Sequence, residues 1–228
     1  LDNIIVWLCL LKKLIDFNLL RCFMDNPWME IELDDYEKHM SHETVFQLQE
    51  MDQIMKSQFY TYPVESVQIL GIAGGNGLEH INCCVFKNVY GVDINEKYLV
   101  ACKERYPQLK EVFSTICTDL TSDNLQLPYS DLLIANLLIE YIGYKCFQNI
   151  VKIVAPRYVS CVIQINTGEE FVSDSPYLHV FDRLEEVHYQ IEDNVLTDAM
   201  SHIGYKCVCS TKHELPNGKA LLRIDYTK

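Results

Sequence analysis

The chain has no apolar run of the roughly 20 residues that a bilayer-spanning helix needs. The longest apolar stretch near its start runs only from Ile4 to Leu11, and Lys12, Lys13 and Asp16 then interrupt it. A basic start with a small-residue cleavage site is also absent, so a secretory signal is not expected in residues 1–23. There is no Cys-x-x-Cys pair and no Cys/His cluster at zinc spacing, although the chain has 10 cysteines. Several of them sit inside apolar runs, as in Ser160-Cys161-Val162-Ile163. Small reduced thiols in an intracellular, cytoplasmic protein are therefore expected, rather than a disulfide framework. Basic residues are scarce: Lys+Arg 19 against Asp+Glu 32 leaves a net charge of −13. Such a surface repels phosphate backbones and argues against a general nucleic-acid binder. No internal repeat or low-complexity linker is present.

What remains is ordinary globular material. The 228 residues are 49% apolar and 22% charged, enough for one large domain with a sizeable core and too apolar for disorder. Residues 1–23 stand apart. They read either as an extension upstream of the natural start or as a docking helix with the stripe Ile4, Leu8, Leu11, Ile15 and Leu19. The same stripe would suit a weak membrane-surface or partner helix. Residues 24–62 read as an N-terminal helical cap. Within it Ser41 is expected to cap a helix over about 42–57, which ends before Tyr62-Pro63.

Residues 63–228 carry five short strands that alternate with helices or helical turns. The strands are expected at 67–70, 88–93, 111–117, 129–135 and 158–165. Helices are expected from Leu78, over about 96–105 behind Asn95, and before Pro156. This rhythm predicts an α/β fold with a doubly wound, mostly parallel sheet covered on both faces. Residues 166–190 break it and read as an insertion or lid. A helix is expected next, at about 191–203. Two strands then flank the turn Leu215-Pro216-Asn217-Gly218, so the expected sheet is seven-stranded and ends in an antiparallel hairpin.

The run Ile69-Leu70-Gly71-Ile72-Ala73-Gly74-Gly75-Asn76-Gly77 joins the first strand to the helical segment expected from Leu78. Glycines there let backbone turn sharply and approach a ligand closely. Asp93 ends the next strand, where a carboxylate can accept hydrogen bonds from both hydroxyls of a ribose. Two nucleoside cofactors suit such a plan. The dinucleotide pattern Gly-x-Gly-x-x-Gly fits in neither register: from Gly75 the third position is His80, and from Gly71 the next two are Ala73 and Asn76. The alternative is S-adenosylmethionine, which has no pyrophosphate to cradle.

Over about 25–228 the sequence resembles a Rossmann-like (class I) S-adenosylmethionine-dependent methyltransferase. Gly75 and Gly77 match the family's second and third glycines. Ala73 replaces the first, and Gly71 stands where the family usually has an acid. Gly91-Val92-Asp93-Ile94-Asn95 resembles the ribose-binding strand end. Ile116-Cys117-Thr118-Asp119-Leu120 resembles the loop whose acid bonds the adenine amino group. Ala135-Asn136-Leu137 lies where the fourth strand ends, which implies that Asn136 is close to the methionine part. The resemblance assigns Tyr36, His39, Gly71, Ala73, Gly75, Gly77, Asp93, Ile94, Asp119, Leu120, Asn136 and Leu137 to the cofactor, with S-adenosylhomocysteine as product. It assigns no metal.

Methyl transfer needs nucleophile, methyl and sulfur held in line, and some acceptors also need a base. His39 and Tyr141 are the candidates for that role, with Glu140, His179 and His188 behind them. The Asn-Pro-Pro-Tyr run of some amino-methylating nucleic-acid enzymes is absent after strand four. Together with the charge, this favours a small-molecule acceptor. A non-enzymatic S-adenosylmethionine-binding protein and a nucleotide-dependent oxidoreductase on a related fold are the competing readings.

Overall fold

A seven-stranded sheet in the order β3-β2-β1-β4-β5-β7-β6 organises the described residues. The computed structural model describes residues 26–166, 168 and 171–228. The segment 1–23, expected as an extension or docking helix, lies outside the described residues, as do Thr167, Glu169 and Glu170 of the expected insertion.

The strands are β1 (Ser66–Leu70), β2 (Asn88–Asp93), β3 (Phe113–Cys117), β4 (Leu132–Asn136), β5 (Tyr158–Ile165), β6 (Lys206–Glu214) and β7 (Ala220–Thr227). The first five pair in parallel, and β7 runs antiparallel between β5 and β6. Strand periodicity sends alternate side chains to opposite faces. Val67, Ile69, Leu132 and Ile134 enter one core; Leu70, Leu133 and Ala135 enter the other. Both faces are covered, which is why β1 and β4 read as almost unbroken apolar runs.

Five α-helices cover the described sheet: α1 (Leu33–Ser41), α2 (Gln47–Thr61), α3 (Glu96–Arg105), α4 (Ile139–Val154) and α5 (Asp193–His202). Helix α2 lays Met51, Ile54, Met55 and Phe59 on one core, whereas α4 and α5 lay Phe147, Ile150, Val151, Leu196 and Met200 on the other. Asn95 caps α3 as expected, its side chain accepting from the Lys97 N–H at 3.1 Å.

Three expectations need correction. The helix placed at 42–57 is split differently: Ser41 ends α1, and α2 starts only at Gln47. Phe46 takes a left-handed backbone (φ 56°) between them, and the Val45 and Phe46 N–H groups both turn back to the His42 carbonyl. The helix expected from Leu78 is a single 3-10 turn, Leu78–His80. Behind it the Asn82 side chain accepts from the Cys84 N–H at 2.9 Å, an Asx turn that competes with helix. Strand β4 begins at Leu132, not Tyr129. Asp131 ties that corner down instead, accepting from the Ser66 hydroxyl at 2.8 Å and the Tyr129 hydroxyl at 2.9 Å.

Candidate active site

The order of the parallel strands reverses between β1 and β4, and ligands of open α/β sheets bind beyond the carboxyl ends of strands at such a point. The loop after β1 turns away at once, with the Gly71 N–H on the Val92 carbonyl at 2.8 Å. Gly71, Ala73, Gly75 and Gly77 all have positive φ. Ala73 (φ 47°) is the unusual member, since a Cβ in this region costs about 1–2 kcal/mol. Its N–H is anchored on Asp93 Oδ2 at 2.9 Å.

Asp93 is 8% exposed. Its Oδ1 accepts the Asn95 N–H at 2.9 Å, so each oxygen holds one backbone donor and keeps lone-pair capacity for a ligand. Burial pushes its carboxyl above the usual range, while the N–H groups of Asn95, Ala73 and Ile94 pull it back. Asp119 accepts the Thr121 N–H and hydroxyl on Oδ1, leaving Oδ2 uncommitted.

The N-terminal segment folds over these strand ends. Asn95 Nδ2 donates to the Trp28 carbonyl at 3.2 Å, and the Tyr98 hydroxyl donates to the Ile31 carbonyl at 2.7 Å. Arg105 forks onto Glu37 of α1 and also donates to the Gly74 carbonyl at 3.3 Å. Trp28 and Tyr36 thereby come to lie across the crevice.

The result is a cleft of about 780 Å³. Of the residues assigned from sequence, Tyr36, Gly71, Ala73, Asp93, Ile94, Asp119, Leu120, Asn136 and Leu137 line it. Gly75 and Gly77 do not. A Cβ on Gly75 would meet Cys102, Leu78 and Tyr106 at 3.0 Å, and one on Gly77 would meet Met55 Cβ at 2.8 Å. Both glycines serve packing behind the loop. Trp28, Tyr98 and Thr118 also line the cleft and were missed. The spacing of Tyr98 on α3 could have placed it near the Asp93 end; nothing in the sequence signals Trp28.

A second cavity, of about 650 Å³, adjoins the first, and Trp28, Tyr36, Leu137 and Tyr141 line both. His39 belongs to this second cavity and not to the cleft. Its Nδ1 pairs with the Ser175 hydroxyl at 2.8 Å, its ring lies 4.4 Å from Phe181, and burial pushes its pKa down to about 4. His188 stacks on Phe171 at 3.8 Å in the same cavity, and burial lowers its pKa too. His179 lies in neither cavity; its side chain is 90% exposed beside Asp182. Glu140 is buried in the second cavity's wall, and burial pushes its carboxyl up to about 7.

Two residues sit at the junction. Leu137 has φ 52°, strained for a branched side chain, and its N–H is fixed on the Val162 carbonyl at 2.8 Å. Asn136 exchanges two 2.9 Å hydrogen bonds with Gln58. Gln58 also donates to Ser160, which donates to Asp225, and Asp225 pairs with Arg223. Asn136 is thus held by a buried polar chain that crosses the sheet.

A family model described as "Methyltransferase domain" matches residues 70–158. Over that stretch the chain is similar to methyltransferase domains. The matched stretch runs from the end of β1 to the start of β5 and contains the loop, Asp93, Asp119 and Asn136. Solved methyltransferases share the fold. The magnesium protoporphyrin IX methyltransferase of Synechocystis PCC 6803, solved with S-adenosylhomocysteine, superposes with a TM-score of 0.61 at 10% identity, over 86% of this chain and 93% of that one. The N-methyltransferase NodS of Bradyrhizobium japonicum WM9, also solved with S-adenosylhomocysteine, gives 0.60 at 12% identity, over 84% and 95%. A candidate RNA methyltransferase from Pyrococcus horikoshii gives 0.52 at 14% identity, over 79% and 81%. No curated protein matches the chain in sequence. None of the described helices is long and apolar enough to cross a membrane.

Proposed function

We propose that this protein transfers a methyl group from S-adenosylmethionine to a small-molecule acceptor. The observation that carries this reading is the pairing of two cavities: a strand-end cleft with buried Asp93, and a second cavity that meets it at Leu137 and Tyr141. The cleft suits the cofactor in chemistry. Asp93 has acceptor capacity for two ribose hydroxyls, Ile94 and Leu120 offer apolar faces for a base, and Asp119 Oδ2 can accept an exocyclic amino group. Gly71, Ala73, Asn136 and Tyr36 surround the end where the methionine part would lie. When bound, the cofactor supplies a methyl on a sulfonium; the acceptor's lone pair takes the methyl and the carbon–sulfur electron pair stays on sulfur.

The protein's share is positioning and exclusion of water. Trp28 packs edge-on against Tyr141 at 4.9 Å and lies 6.0 Å from Tyr36, which closes the junction with aromatic surface. Aromatic faces also favour a neighbouring sulfonium. The neighbours named above act on acceptors of different kinds, so the fold does not select one. A small molecule is favoured by the net charge of −13 and by the size of the second cavity. That cavity also counts against a protein that only binds the cofactor, because binding alone requires no acceptor chamber.

The test is calorimetric titration of the full chain with S-adenosylmethionine, S-adenosylhomocysteine and NADH. Micromolar binding of the first two without the third is the expected result. Tight NADH binding without either of the others overturns the reading in favour of an oxidoreductase.

A further inference from the structure

The second cavity has a one-sided charge. Among its described lining residues Glu140 is the carboxylate, and no Lys or Arg is present. Burial keeps the His39 and His188 imidazoles toward neutrality and the Tyr36 and Tyr141 phenols protonated. Glu140 is 6% exposed. Its Oε1 accepts the Gln164 N–H at 2.8 Å, but Oε2 is buried with no hydrogen-bond partner. Native structures seldom leave a buried carboxylate oxygen unpaired, because desolvation goes uncompensated. The remaining wall is aromatic: Trp28 and Tyr141 in edge contact, and Phe171 stacked on His188. Behind this wall the buried Lys219 ammonium donates to the Phe171 carbonyl at 2.9 Å, while aromatic faces around one carboxylate complement an ammonium.

We propose that this cavity takes an amine as methyl acceptor, with its ammonium nitrogen on Glu140 Oε2, and that Glu140 removes the proton that frees the nitrogen lone pair. The proposal rests on the methyl-transfer reading above. In this step one N–H bond breaks and an O–H bond forms on Oε2. The electron pair stays on nitrogen, so ammonium becomes amine and carboxylate becomes carboxylic acid. Glu140 is placed for this by two elements. It sits on the first turn of α4, one residue before Tyr141, which lines both cavities. Its backbone carbonyl accepts the Tyr189 N–H at 2.6 Å, so the segment after the 3-10 helix Leu178–Glu186 closes over it. The titratable groups that line the cavity with it are Tyr36 and His39 on α1, Tyr141 on its own helix, and His188 and Tyr189 on that closing segment; Cys161 on β5 also feels its charge, and Lys219 on the far side acts on His39. A carboxyl held near 7 is well matched to accept a proton near neutral pH.

The experiment uses the full chain saturated with S-adenosylhomocysteine. Benzylamine, benzyl alcohol and benzoate are titrated into it at pH 8, for the wild type and for Glu140→Gln. Glutamine keeps the volume and the oxygen that accepts from Gln164. Benzylamine is expected to bind at least tenfold tighter than benzyl alcohol, with no detectable benzoate binding. Glu140→Gln should lose at least tenfold for benzylamine while its affinity for S-adenosylhomocysteine stays within twofold. Equal benzylamine affinity in the two proteins overturns the proposal, as does benzoate binding as well as benzylamine, or no benzylamine binding at all. Parallel loss of S-adenosylhomocysteine in Glu140→Gln also overturns it, by showing a merely structural role. If the wild type fails to bind S-adenosylhomocysteine, the methyl-transfer reading itself falls.

Discussion

The cleft beyond β1, β2 and β4 takes its shape from backbone, whereas the cavity beside it takes its shape from side chains on distant segments. The cleft lies mostly within residues 70–158, the stretch matched as a methyltransferase domain. Its parts are positive-φ turns, a strand-end acid and N–H groups, all within one loop of a parallel strand. The cavity draws His39 from α1, Gln164 from β5 and Phe181 from the 3-10 helix, with Glu140 on α4. Its wall holds titratable groups pushed off their ordinary pKa values by burial. On the proposed reading the parallel sheet delivers the cofactor cleft with little added to the fold, while the acceptor cavity is assembled from segments far apart in the chain.

That contrast can be broken or sharpened by substitution. The largest effect is expected at Glu140. Its folded pKa is raised to about 7, so the stability it contributes as a neutral acid is whole below about pH 4.5. That contribution falls away as pH rises through about 7, amounting to about 3 kcal/mol by pH 8. Glu140→Gln should therefore be more stable than wild type at pH 8 and nearly equal at pH 4.5, as read by urea denaturation at both values. Unchanged stability at pH 8 would mean that the carboxylate finds a partner when ionised.

Gly77→Ala comes next. It adds a Cβ at φ 88° and 2.8 Å from Met55 Cβ, which should cost about 2 kcal/mol. Since Gly77 lies behind the loop, affinity for S-adenosylhomocysteine should change less than threefold at a temperature where the variant is folded. A large affinity loss would return this glycine to the cofactor.

His39 gives the smallest effect. Its folded pKa is lowered to about 4, so the unfolded chain binds the proton first as pH falls. The contribution of His39 to stability should therefore fall by about 1 kcal/mol between pH 7.5 and 5.5, read as the change in the stability difference between His39→Gln and wild type in the same denaturation series.

The sequence carried the sheet and the cleft further than the cavity. Short apolar runs and the Pro156 and Asn95 signals placed the strands and α3 because local chemistry decides them. Asp93 was singled out by its place at a strand end and Asp119 by the resemblance, and both line the cleft. The failures have tertiary causes. The start of α2 depends on the left-handed Phe46, and nothing local requires that conformation. Gly75 and Gly77 looked like ligand glycines, yet their constraint comes from Met55, Cys102 and Tyr106 on other segments. His39 and Glu140 share a cavity with residues from 171–191, far along the chain, and no local pattern signals that meeting. Trp28 reaches the cleft through a hydrogen bond from Asn95 to its backbone, which carries no residue signature.

The division of labour between cleft and cavity is tested most directly by titrating S-adenosylhomocysteine into wild type, Asp93→Ala and Glu140→Gln under one condition. Hydrogen bonds to a charged group contribute about 1.5–3 kcal/mol each. The predicted result is a loss of about 100-fold or more in Asp93→Ala and less than twofold in Glu140→Gln. Equal losses in both, or no loss in Asp93→Ala, would contradict the account.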